Sequence, residues 1–103
     1  MKRIIIGLSF VMGVLPAANA FESYDVQRLK QTKACEGCDL SGSYLGWTDL
    51  RGAELSNANL RGADISNTRL AGARLARADL SGVNFGGANL SGADLRQAPL
   101  TLT

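Results

Sequence analysis

The sequence predicts an all-β solenoid, a coil that advances by one side every five residues. An apolar residue occupies every fifth position from Leu40 to Leu100, thirteen times without a break. A small or uncharged residue stands two positions before each of them, from Cys38 to Ala98. Internal repetition of this regularity indicates a repeat architecture in which each unit packs on its neighbours.

A spacing of five residues fits neither a helix nor a straight strand. On a helix, five residues turn the chain by about 140° beyond a full turn and spread the leucines around the cylinder. On a strand, an odd step would send alternate leucines to opposite faces. A chain that turns one corner per repeat points every leucine inward, with neighbouring coils about 4.8 Å apart.

The number of sides follows from the glycines. The third corner position carries glycine every ten residues, where a type II turn requires a positive φ. The corners between them carry Trp47, Asn57, Asn67, Arg77, Gly87 and Gln97, so corner types are expected to alternate along the chain. Alternating corners form columns only if the number of sides is even, which predicts four sides, 20 residues per coil and about three coils. The glycines are Gly42, Gly52, Gly62, Gly72, Gly82 and Gly92.

The repeat resembles that of the pentapeptide-repeat family, whose consensus is A-(D/N)-L-x-x. The resemblance covers residues 38–102 and implies a right-handed quadrilateral β-helix. The family is functionally mixed, so the fold brings no activity with it. Matching triplets include Ala58-Asn59-Leu60, Ala63-Asp64-Ile65, Ala78-Asp79-Leu80, Ala88-Asn89-Leu90 and Ala93-Asp94-Leu95.

Residues 1–20 are predicted to be a secretory signal. Two basic residues precede an apolar run, Ile4–Leu15, and Ala18-Asn19-Ala20 supplies the small residues of a cleavage site before Phe21. The alternative is an uncleaved anchor, but the run is shorter than the roughly 20 residues of a membrane-spanning helix. We therefore expect a periplasmic or otherwise exported protein without stable membrane insertion. In a photosynthetic source, the family resemblance would admit a thylakoid lumen as well as a periplasm.

Residues 21–34 are predicted to be an N-terminal helical cap, followed by the β-helix at residues 35–103. Ser23 is a candidate N-cap, and Val26 and Leu29 supply apolar contacts in a stretch without glycine or proline. Solenoid ends require caps, which favours this interpretation over a partner-binding arm. At the other end, Leu102 occupies a usually polar position. It either folds over the last coil or forms a homodimer contact.

Charge and composition exclude several classes of function. Without residues 1–20, nine basic and nine acidic residues remain. The chain then has no excess of positive charge with which to bind the phosphates of a nucleic acid. The absence of histidine excludes a Ser-His-Asp triad and histidine metal sites. We expect no catalytic, cofactor-binding or metal-binding residues and no cofactor. Topoisomerase binding by nucleic-acid mimicry, seen in some members of the family, would require an acidic cytoplasmic rod.

Two cysteines, Cys35 and Cys38, extend the repeat backward by one unit. Cys35 takes an apolar position and Cys38 the small position after it, with Gly37 at the third position of the corner. A four-residue turn holds its ends within about 7 Å, within reach of a disulfide. A structural disulfide is therefore the prediction. A thiol–disulfide redox site is the alternative, because export makes an oxidising compartment the expected environment.

The outward-facing aromatic residues Tyr44 and Trp47 are the candidate partner-binding residues. Both belong to one side of the first coil, at positions that elsewhere are small or polar. Exposed aromatic side chains can anchor a partner, but the N-terminal segment could equally cover them. The outward arginines stack with acids one coil away, as in the column Glu54, Arg74 and Asp94, which favours a self-paired surface over an anion site. The predicted function is a non-enzymatic protein-interaction or structural module with an unknown protein partner.

Overall fold

The computed structural model describes residues 23–101, so the expected signal at residues 1–20 and Leu102 lie outside the described part. A helix, α1, spans Tyr24–Thr32. The Ser23 hydroxyl accepts a hydrogen bond from the Val26 N–H at 3.1 Å, which confirms Ser23 as the N-cap. Within residues 23–101, no helix has the length and apolar composition needed to cross a membrane.

The rest of the described chain is a coil with a 20-residue register. Each parallel bridge joins a residue to the one 20 positions later, from Ala34 with Glu54 to Arg74 with Asp94. Twenty residues at five per side give four sides. Within residues 23–101, regular strand is limited to β1 (Leu80–Ser81) and β2 (Leu100–Thr101), which pair in the same register. Corners bound each side after a few residues, so most of the pairing consists of single bridges.

Backbone hydrogen bonds connect each coil to both of its neighbours. The Leu60 N–H donates to the Asp79 carbonyl in the next coil at 2.9 Å. The Asp79 N–H donates back to the Ala58 carbonyl, also at 2.9 Å. This alternation recurs along the coil, so extended sides that would be too short to persist alone are held by their neighbours.

The corners correct one expectation from the sequence. Their third residues all have a positive φ, whether or not the residue is glycine, so the corner types do not alternate. The four-sided period is right, but glycine alternation is not its cause. At the corners without glycine the residues are Trp47 (φ 61°), Asn57 (63°), Asn67 (57°), Arg77 (62°) and Gln97 (59°). Nothing in the structure explains why glycine recurs at every second corner.

Asparagine and aspartate side chains brace the corners from outside. Each accepts a hydrogen bond from the N–H two residues later, as in the Asp64 contact with the Ser66 N–H at 3.0 Å. This is the local turn bond that Asx residues favour. It explains the D/N position of the repeat without invoking a ligand. The acceptors are Asp39, Asp49, Asn59, Asp64, Asp79, Asn84, Asn89 and Asp94.

The core is a stack of leucines whose burial decreases toward the C-terminal end. In one column, Leu40, Leu60 and Leu80 are buried, but Leu100 is 48% exposed. At the opposite end, the helix residue Leu29 is fully buried and belongs to the same apolar cluster. The helix therefore closes the core where the coil begins.

This gradient predicts different costs for the same truncation. Leu60→Ala should lower the free energy of unfolding by about 2–5 kcal/mol, because it leaves a cavity between two coils. Leu100→Ala in the same column should cost about 1 kcal/mol or less, because that side chain is already half in water. Urea unfolding of both variants measures the difference. Equal losses would contradict the burial gradient.

The carboxylates that brace the corners predict acid sensitivity. The Arg96 side chain and backbone N–H donate to Asp94 and lower its pKa to about 2, and the Ser66 hydroxyl and N–H lower that of Asp64. Because the folded-state pKa lies below the unfolded value, this stabilisation is complete above about pH 4 and is lost as the pH falls toward 2. Urea midpoints measured between about pH 5 and pH 2 should decline.

The control for this prediction is a variant with Asp39, Asp64 and Asp79 replaced by asparagine. Asparagine keeps the accepting oxygen, as Asn59 and Asn89 show at equivalent positions. The variant should therefore fold normally and lose less stability in acid. A wild-type midpoint that stays constant across this pH range would contradict the role of the ionised groups.

Candidate functional site

One side of the coil carries the exposed aromatic residues. We call the side formed by residues 43–47, 63–67 and 83–87 the aromatic face. Tyr44 pairs in register with Asp64, and Trp47 stands at the corner that ends the same side. The side chain of Tyr44 is 60% exposed and that of Trp47 is 75% exposed. Helix α1 therefore does not cover them, and the interpretation that it would is wrong.

The Tyr44 ring is laid along the coil surface. Its hydroxyl end occupies the space that a Cβ atom would need at Gly46, with Tyr44 Oη 2.6 Å from that position. Gly46 does not have a positive φ, so backbone conformation does not require glycine there. The glycine makes room for the ring. The ring consequently runs from position 44 toward position 46, and Tyr44 remains more than half exposed.

Trp47 adopts a backbone conformation that is costly for its residue type. Its φ of 61° lies in the left-handed region, where bulky residues are uncommon. Asparagine, which tolerates this region better, occupies the stacked position Asn67, and glycine the next one, Gly87. A large, mostly exposed side chain thus stands where a small one would fold more easily. Arg77 and Gln97 share this left-handed φ, so the exposed indole, and not the corner conformation, distinguishes Trp47.

In the coils that follow Tyr44 and Trp47, the aromatic face is polar and carries short side chains. Asp64 Oδ1 accepts hydrogen bonds from the Ser66 N–H at 3.0 Å and the Ser66 hydroxyl at 2.7 Å. The Asn67 side chain extends over Gly87, where its Oδ1 fills the space of a missing Cβ atom. The face therefore presents two rings at one end and amide, carboxylate and hydroxyl groups beneath them.

The sequence located the two aromatic residues but not the features that set their geometry. The signal for the Tyr44 position was present, because Gly46 falls outside the corner glycine series. Its meaning depends on the direction of the ring, which only the folded coil supplies. The strain at Trp47 was not predicted, because its corner was expected to differ from the glycine corners.

The two cysteines form the first corner of the coil. Their sulfur atoms are bonded, their Cα atoms are 5.3 Å apart, and the Cys38 N–H donates to the Cys35 carbonyl at 3.1 Å. Both side chains are buried beneath α1, with Cys35 Sγ 3.4 Å from the Asp25 carbonyl oxygen. No group of His, Cys, Asp or Glu residues between positions 23 and 101 is arranged to hold a metal ion.

Most of the outward arginines have partners on the coil. Arg77 donates to Asn57 at 3.3 Å and to Gln97 at 3.2 Å, which are its neighbours in adjacent coils. A surface depression lined by Ala76, Arg77, Arg96 and Gln97 therefore contains guanidinium groups that are already engaged. These contacts favour the self-paired surface over an anion site. Ion pairs on the described coil include Arg51–Asp49, Arg61–Asp79, Arg74–Glu54 and Arg96–Asp94.

Solved structures similar to this chain include three pentapeptide repeat proteins. HetL, involved in heterocyst differentiation regulation in the cyanobacterium Nostoc sp. strain PCC 7120, is 36% identical over 59% of this chain and 27% of its own, with a TM-score of 0.40. A second protein from Nostoc PCC 7120 is 27% identical over 74% and 76%, with a TM-score of 0.35. A third, from the Arabidopsis thaliana thylakoid lumen, is 30% identical over 69% and 57%, with a TM-score of 0.32.

This chain thus spans about a quarter of the length of HetL and just over half of that of the Arabidopsis protein. No curated protein matches it. The model of the family described as pentapeptide repeats matches in 8 copies, over residues 38–75 and 58–97. Proteins of this family fold as right-handed quadrilateral β-helices, which agrees with the 20-residue register. Since the match extends over more than half of the 103 residues, the chain belongs to the pentapeptide-repeat family.

Proposed function

We propose that this protein is an exported, non-enzymatic interaction or structural module that contacts its partner through Tyr44 and Trp47. The observation that carries the proposal is the exposure of these two rings on a coil whose other large apolar side chains are mostly buried. Aromatic side chains dominate the energetics of many interfaces because they bury a large area at low entropic cost. Pentapeptide-repeat proteins are generally structural or interaction modules, which supports a binding role.

Export is part of the proposal and rests on residues 1–20. The apolar run Ile4–Leu15 and the Ala18–Ala20 cleavage site have the composition of a secretory signal. The compartment we propose is the periplasm, or a thylakoid lumen in a photosynthetic source. A periplasmic location would place the aromatic face among exported proteins and cell-envelope polymers.

We also propose that α1 caps a right-handed coil of about three turns. The Asp25 Oδ2 atom accepts a hydrogen bond from the Asp39 N–H at 2.9 Å. At equivalent positions, such as Asn59, the N–H donates to a carbonyl in the preceding coil. Asp25 thus supplies the acceptor that a preceding coil would have provided. Such a cap protects a solenoid end from pairing with other chains.

Catalysis by the cysteines receives no support from their surroundings. A redox-active pair needs an accessible thiolate. Cys35 and Cys38 lie beneath α1 and are buried, with only the Arg28 guanidinium near Cys38 Sγ, at 3.8 Å. We therefore propose a structural disulfide that holds the first corner against the helix.

The interaction proposal is tested by affinity capture from the native compartment. The wild-type protein and Trp47→Ala, both retaining the folded far-UV spectrum, are immobilised and exposed to the same extract. The wild-type protein should retain a partner that the variant retains at least about tenfold more weakly. Arg77→Ala, a change at the same corner position of another side, should behave like wild type. Identical capture by all three proteins would overturn the proposal.

Replacing Trp47 with asparagine should stabilise the fold. Trp47 has a positive φ and is mostly exposed, so the change relieves backbone strain and removes little packing. The expected gain in the free energy of unfolding is about 1 kcal/mol. Urea unfolding monitored by circular dichroism measures it. A loss of stability instead would mean that Trp47 packs on the coil and is retained for folding.

The disulfide should contribute modestly to stability. The four-residue loop corresponds to about 2 kcal/mol on the chain-entropy model. Reduction should lower the free energy of unfolding by about this amount, and Cys38→Ala should match the reduced wild type. Untreated exported protein should be lighter by two hydrogen atoms than the reduced form. Two free thiols in the untreated sample would refute the bridge.

A further inference from the structure

We propose that the aromatic face binds a neutral glycan chain. This inference rests on the proposed function and specifies the chemical class of ligand for the same site. Three features of the face support it: the absence of positive charge, the shallow surface and the position of the two exposed rings.

Charge distinguishes this face from the other three. Residues 43–47, 63–67 and 83–87 contain no lysine or arginine, and their one charged residue is Asp64. Each of the other sides carries at least one arginine, for example Arg61, Arg51 and Arg74. An anionic ligand such as a nucleic acid, a phosphate or an acidic polysaccharide would find no cation here and would meet a carboxylate. The charge of the face therefore matches an uncharged ligand.

The surface of the aromatic face is shallow enough to accommodate an extended polymer. In the two coils beyond Tyr44 and Trp47, the outward positions at the corners are Ser66, Asn67, Gly86 and Gly87. These short side chains leave a shallow surface that runs along the coil axis, with rows about 4.8 Å apart. A polymer lying across these rows would contact the rings and then successive polar rows.

The rings provide the apolar contact that a sugar requires. A pyranose has a face of C–H groups, which packs on an aromatic ring, and a rim of hydroxyl groups. Gly46 makes room for the Tyr44 ring over the coil, and Tyr44 is still 60% exposed, so ring surface is available to a ligand. Trp47 is 75% exposed despite the strain at its corner. An aromatic platform fixed in this way loses little conformational entropy on binding.

Polar groups adjoin the platform. Hydroxyl groups both donate and accept hydrogen bonds, so they are best met by amides together with carboxylates. Asn67 and Asn84 supply amides in the next two coils, and Asp64 Oδ2 makes no hydrogen bond within residues 23–101, whereas its Oδ1 is engaged by Ser66. The face thus combines apolar and hydrogen-bonding groups without positive charge.

Trp47 is the single tryptophan of the chain, so its fluorescence reports directly on this site. The protein lacking residues 1–20 is titrated with soluble oligomers of glucose and of N-acetylglucosamine, and with an oligomer of galacturonic acid as the anionic control. We expect a saturable change in fluorescence with at least one neutral oligomer and none with the acidic one. A response to the acidic oligomer equal to the neutral one would overturn the proposal.

Variants are compared by retention on insoluble cellulose and chitin, because this readout does not need the tryptophan. Trp47→Asn should weaken retention at least about tenfold while keeping the fold. Gly46→Ala keeps both rings but displaces Tyr44, and should weaken retention less. Arg77→Asn makes the equivalent corner change on another side and should leave retention unchanged. Equal retention of Trp47→Asn and wild type would overturn the proposal.

The outcome separates this inference from the proposed function. If neither neutral oligomer nor polymer binds, but Trp47 is still needed for capture of a protein partner, the glycan inference fails and the interaction module stands. If Trp47 is needed for neither, both proposals fail. Trp47-dependent binding of a neutral oligomer, unaffected by Arg77→Asn, together with Trp47-dependent capture, supports both.

Discussion

The structure depends on hydrogen bonding between backbone groups 20 residues apart. Each side of the coil is too short to be a stable strand, and its donors and acceptors are satisfied by the coils before and after it. This pairing is available only if each corner turns the chain by the same amount. The repeated positive φ, from Gly42 to Gln97, supplies that uniformity. Because the corners are uniform, the inward leucines of successive coils stack above one another.

A coil built in this way has two distinct ends. At the N-terminal end, α1 buries Val26 and Leu29 on the core, and Asp25 accepts from the Asp39 N–H. Toward the other end the burial decreases, and Leu100 is half exposed. Stability is therefore graded along the axis, as expected for a repeat architecture in which each coil contacts only its neighbours.

Rigid, repetitive sides also make exceptions informative. The outward position before nearly every inward leucine carries an Asx residue or a charged residue, so an exposed ring stands out there. Tyr44 breaks the Asx pattern, Gly46 accommodates it, and Trp47 accepts a backbone conformation better suited to asparagine. The exposure of both rings separates this face from the other sides, because the φ of Trp47 is shared by Arg77 and Gln97.

The sequence by itself determined the period, the inward residues and the helix with its Ser23 cap, because these features repeat or are local along the chain. It also located the first corner at Cys35 and Cys38. The tertiary structure decided the common φ of the corners, the contact between Asp25 and Asp39, and the exposure and direction of the Tyr44 ring. These depend on how side chains pack against groups that are distant in the sequence or bent around a corner, which no periodicity encodes.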